Sequence, residues 1–79
     1  MNKNYVWCDR NYNYYTLEDI DDRYLLNILK FISNGGGYVY NINANNIRSL
    51  YEEASRRNLK HNYDLRDLLL AYYQKKYGD

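Results

Sequence analysis

Glu18-Asp19-Ile20-Asp21-Asp22-Arg23-Tyr24-Leu25-Leu26-Asn27-Ile28-Leu29-Lys30-Phe31-Ile32-Ser33 sets the architecture of this 79-residue chain. Its apolar residues, Ile20, Tyr24, Leu25, Ile28, Leu29, Phe31 and Ile32, recur at spacings of three and four, which draws a wide stripe along one side of a helix. Acids crowd the start, where the positive end of the helix dipole favours negative charge. Ser33-Asn34-Gly35 close the run, and Asn34 or Gly35 suits a left-handed cap. The pattern predicts a helix over about 19–33.

Toward the N-terminus, Tyr5-Val6-Trp7-Cys8 combines aromatic and β-branched residues and reads as a strand. Asp9 to Asn13 carry turn chemistry, since Asp and Asn bond their own backbone. Tyr14 to Leu17 return as a second strand. The resulting hairpin, residues 5–17, is too small to stand alone and must pack on a helix. In the other direction, Gly35-Gly36-Gly37 make a hinge, and Tyr38-Val39-Tyr40-Asn41-Ile42 alternates as a third strand or an extended connector. A helix over about 45–57 would bury Ile47, Leu50, Tyr51 and Ala54, with Asn58 as its cap and Leu59 following. Another over about 64–77, capped by Asn62 or Asp64, would bury Leu65, Leu68, Leu69, Tyr72 and Tyr73 or the stem of Lys76. The expected fold is α+β, a single domain over 1–79. An N-terminal β-hairpin, with 38–42 as an optional third strand, packs on three α-helices.

Chemistry-bearing residues are scarce. Cys8 and His61 are each the only one of their kind, so neither an intrachain disulfide nor a Cys/His metal cluster is available. A lone cysteine beside Trp7 fits a reducing compartment. No apolar run approaches the ~18–20 residues of a membrane span, and no leader is visible, so a cytoplasmic location is expected. Net charge is +1, which fits neither an acidic DNA mimic nor a protein held mainly by phosphate contacts. Residues 1–34 hold four bases against five acids, and residues 35–79 seven against five. Twelve tyrosines stand against one phenylalanine, so hydroxylated rings are favoured, as core covers with a wet edge or as rigid contact area.

Glu18, Asp19, Asp21 and Asp22 could hold Mg²⁺ or act as acid and base. Lying within five positions, they read better as a helix start. The triple glycine lacks the Lys-Ser/Thr that follows a phosphate-binding loop. Arg56, Arg57, Lys60 and His61 form a basic run at a helix end. With Arg48, Arg66, Lys75 and Lys76 it could make a face for nucleic acid, with tyrosines stacking on bases. His61 would have to fill every role of a catalytic triad alone. The chain is therefore expected not to be an enzyme and to need no cofactor or metal.

Two segments resemble a group of small, mostly uncharacterised phage and prophage proteins. Trp7-Cys8-Asp9-Arg10-Asn11-Tyr12 is similar to that group's Trp-x-Thr-Arg-Asp-Gly. Ile20-Asp21-Asp22-Arg23-Tyr24-Leu25-Leu26-Asn27 is similar to its Met-x-Asp-x-His-Leu-x-Asn. Leu50 to Leu59 resembles the later Glu-Ala-x-Arg-Arg-Gly-Leu. Tyr12 stands where the group has Gly, Tyr24 where it has His, and Asn27 is retained. The resemblance implies a phage or mobile-element origin and brings no activity with it.

Composition and resemblance together lead to the expectation of a binding protein, an inhibitor of a bacterial defence effector of the anti-CRISPR kind. Tyr12, Tyr14, Tyr38 and Tyr40 would anchor the partner, with Arg48, Arg56, Arg57 and Lys60 at the edges. A small nucleic-acid-binding regulator using the C-terminal helices is the alternative. A module that homodimerises to cover a thin core is a third.

Overall fold

Asp9 builds the hairpin. In the computed structural model, which describes residues 4–35 and 43–77, its carboxylate accepts the backbone N–H groups of Asn11 and Asn13 at 2.9 and 3.0 Å. The same carboxylate accepts the Asn13 side-chain amide at 3.1 Å and the Tyr15 hydroxyl at 2.8 Å. The turn is closed by Tyr12 N–H donating to the Asp9 carbonyl at 3.0 Å and Asp9 N–H donating to Asn13 at 3.0 Å. Tyr12 takes a left-handed φ of 63° to make this turn, a region that costs an L-residue free energy and suits glycine. The turn brings β1 (Trp7–Cys8) antiparallel to β2 (Tyr14–Tyr15), with Trp7 opposite Tyr15 and Cys8 opposite Tyr14.

The acidic stretch does not form one helix start. Leu17–Asp19 is a 3₁₀ turn, Ile20 is extended, and α1 runs Asp22–Ser33. The reason is a division of labour. Asp19 accepts from the N–H and hydroxyl of Thr16 at 3.0 and 3.1 Å. Asp21 is the N-cap of α1, accepting Tyr24 N–H at 2.8 Å. The extended Ile20 between them drops its side chain into the core. At the far end Gly35 is left-handed, with φ 85°, and donates to Ile32 at 2.8 Å.

α2 spans Ala44–Arg56. Asn43 and Asn46 cap it reciprocally, each side chain accepting the other's backbone N–H at 2.9 and 3.0 Å. Asn58, left-handed at φ 59°, ends the segment by turning Leu59 N–H onto the Ala54 carbonyl at 3.1 Å. α3 spans Leu65–Tyr77, opened by Asp64, whose carbonyl accepts Leu68 N–H at 3.0 Å.

The three helices pack pairwise on one another, and the hairpin adds Val6 and Trp7 to the same core. Leu25, Ile28, Leu29 and Ile32 of α1 meet Ile47, Leu50 and Ala54 of α2 and Leu68 and Tyr72 of α3. The fold is α+β, a hairpin packed on three helices. Some residues expected on buried stripes lie outside: Phe31 is 37% exposed, and of the two alternatives at the end of α3, Tyr73 is 42% exposed and Lys76 is exposed as well. The expected extended segment 38–42, and Gly36 and Gly37 of the hinge, lie outside the described residues.

Candidate functional site

A groove opens where the hairpin turn leans on α1. Trp7 reaches from β1 and donates its indole N–H to the Tyr24 hydroxyl at 3.0 Å. Phe31 packs edge-on against the indole at 5.9 Å between centroids, and Tyr15 meets Tyr24 edge-on at 5.5 Å. Between them lies a surface groove of about 240 Å³, with Trp7, Ile28 and Phe31 as apolar lining and Asp9, Arg10 and Asn27 at its border. Its volume falls below the range of a small-molecule pocket, about 300–1,000 Å³. Trp7 and Arg10 come from the first resembling segment, Tyr24 and Asn27 from the second, and folding brings them to one place.

The electrostatics beneath the groove fix its shape. Asp9 is lowered to about 2, first by the hydrogen bond from Asn13 N–H, which with the Tyr15, Asn13 side-chain and Asn11 partners outweighs the opposing desolvation. Tyr15 is pushed up to about 12, mainly because its hydroxyl donates to Asp9. At neutral pH the carboxylate is therefore charged and the phenol protonated, and the turn stays locked.

The hairpin also carries an aromatic ridge. Tyr12 and Tyr14 are 77% and 58% exposed, and Tyr14 packs on Tyr5 at 5.5 Å. A second aromatic patch lies on α3, where Tyr73 and Tyr77 stack at 6.0 Å. Of the other expected contact residues, Tyr38 and Tyr40 lie outside the described residues. Arg48 and Lys60 are exposed.

Within the basic run Arg57 is largely covered, whereas Arg56 and Lys60 are exposed. Glu53 is buried, and Arg56 and Arg57 both close on its carboxylate. Arg57 also donates to Asp22 at 3.0 Å and to the Leu17 carbonyl at 3.0 Å, which ties α2 to the 3₁₀ turn and the start of α1. The two guanidinium groups, Arg56 first, hold the Glu53 carboxyl below the ordinary carboxylate value. His61 is half-buried: its ring lies against Tyr51 and Tyr63, and its Nδ1 accepts Tyr63 N–H at 3.0 Å. Among the described residues no three His, Cys, Asp or Glu side chains gather as a metal site, and no helix is long and apolar enough to cross a membrane.

Reading the sequence missed Arg10, Asn27 and Phe31 as groove residues and Glu53 as a buried acid. The groove left no local signal, because it joins residues distant in the chain. For Glu53 the signal was the spacing: Arg56 and Arg57 follow it by three and four positions, the distances at which helix side chains meet.

A scan of protein-family models, a search of curated proteins and a search of solved structures each found no match to this chain.

Proposed function

We propose that this chain is a non-enzymatic binding protein whose hairpin engages a partner protein. One observation carries the reading. Tyr12 and Tyr14 project, 77% and 58% exposed, from a turn pinned by the Asp9 carboxylate. Rigid aromatic rings offer large contact area and lose little conformational freedom on binding. Tyr12 also occupies a left-handed position that a glycine would fill at lower cost, and backbone strain of that kind concentrates at functional sites.

The finer reading is that of a phage- or mobile-element-encoded inhibitor that occupies a bacterial defence effector in the host cytoplasm, as anti-CRISPR proteins do. Its support is the resemblance to small phage and prophage proteins together with an aromatic surface suited to protein contact. Nucleic-acid binding through the C-terminal helices is the weaker alternative, because Arg57 places its charge against Glu53 and Asp22 and the net charge is only +1.

Affinity capture from a bacterial lysate, with and without nuclease, tests the proposal. A captured protein should survive nuclease treatment, and replacing Tyr12 and Tyr14 by alanine should weaken capture about tenfold or more. Loss of every captured protein after nuclease treatment would refute it.

A further inference from the structure

We infer that the groove between the hairpin turn and α1 seats one apolar side chain carried on an acidic segment of the partner. The inference rests on the protein-binding reading above and names the chemistry of what is bound. The floor is formed by Trp7, Ile28 and Phe31, and a groove of about 240 Å³ suits a single side chain. The polar atoms of the floor are turned inward. The Trp7 indole N–H is held by Tyr24, and the Asp9 carboxylate, ionised, is directed at the four donors of the turn.

The polar side chains at the border are Asp9, whose carboxylate is taken up by the turn, and Arg10 and Asn27, both exposed. Neither side chain makes a hydrogen bond among the described residues, so both remain available to a ligand. Arg23 and Lys30, four positions before and three after Asn27 on α1, are exposed on the adjoining flank. Three cations, Arg10, Arg23 and Lys30, thus stand around the apolar floor against the single carboxylate of Asp9, so the surround is basic. A guanidinium presents donors only, in a fork that matches a carboxylate. The complementary ligand is an aromatic or aliphatic side chain with carboxylates on the residues flanking it. A cationic segment would be repelled.

The test is a titration of the isotope-labelled full chain, followed by NMR, with two acetylated and amidated pentapeptides, Glu-Asp-Phe-Glu-Asp and Lys-Lys-Phe-Lys-Lys. The acidic peptide should shift the Trp7 indole N–H and the amides of Arg10, Asn27 and Phe31. It should bind at least about fivefold more tightly than the basic one, the size expected of a few exposed ion pairs. Arg10→Glu should erase that preference while keeping the dispersion of the spectrum. Equal binding of the two peptides, or shifts that avoid the Trp7 indole, would overturn the inference. The Tyr12→Ala, Tyr14→Ala double variant should keep peptide affinity within about twofold, because neither ring lines the groove. Failure of the peptides with tyrosine-dependent capture intact would overturn the groove chemistry alone. Peptide binding with capture indifferent to those tyrosines would support the groove and overturn the ridge reading.

Discussion

Replacing Tyr12 by glycine and by alanine separates what the residue does for the fold from what it does for binding. Both substitutions delete the same ring, which is 77% exposed and gives the core little. They differ in how they meet the backbone, where φ is 63°. An L-residue in the left-handed region costs ~1–2 kcal/mol. Glycine avoids that cost but loses ~0.4–1 kcal/mol through the freedom of its unfolded chain. The glycine variant should therefore be at least as stable as the alanine variant, by a central ~0.8 kcal/mol within a range of ~0–1.6, or ~3–6 °C in Tm at the centre for a domain of this size. Thermal unfolding followed by circular dichroism reads the difference, and affinity capture of each variant reads binding. Both variants should lose binding equally although their stabilities diverge. An alanine variant more stable than the glycine variant would refute the left-handed turn. Unimpaired capture by both would refute the role of the ring.

Arg57→Ala should cost about 2–4 kcal/mol in urea unfolding at neutral pH, because Glu53 would keep a buried charge with one partner fewer; Arg57→Ala combined with Glu53→Gln should recover part of that loss. Glu53 also sets a pH dependence. Its carboxyl is lowered in the folded protein from 4.5, so its contribution is complete above that ordinary value and is lost as pH falls through the folded one. Glu53→Gln should flatten that acid limb in urea unfolding measured across pH. Asp9→Asn should bring the Tyr15 phenol from about 12 back toward 10.0, which ultraviolet titration of tyrosinate detects. Leu29→Ala, at a fully buried position where α1 joins the common core, should destabilise by about 2–5 kcal/mol, and a loss near zero would misplace α1.

The elements were legible because each follows from a local pattern. Three- and four-residue spacing marked α1, Ile47, Leu50 and Ala54 marked α2, and turn residues between aromatic runs marked the hairpin. Boundaries were harder, since acids near a helix start cap different turns: Asp19 serves Thr16 while Asp21 serves Tyr24. Periodicity also overcounted the core. Phe31 follows Ile28 at a permitted spacing, yet it sits at the groove-side edge of the stripe and stays partly exposed. Leu68, Leu69 and Leu70 cannot share one helix face, and Leu70 is 51% exposed. The ridge tyrosines were visible as aromatic residues of the hairpin, Tyr12 in its turn and Tyr14 at the start of its second strand. The groove was not, because it forms only when residues 7–10 meet residues 24–31, a contact between distant parts of the chain that composition does not encode.

Hydrogen–deuterium exchange of the chain, alone and with a captured protein bound, tests the central claim most directly. If the hairpin and its groove are the binding surface, protection on binding falls on residues 5–15 and 24–31. Protection concentrated instead on Arg48, the end of α2 or α3, with the hairpin unchanged, would contradict it.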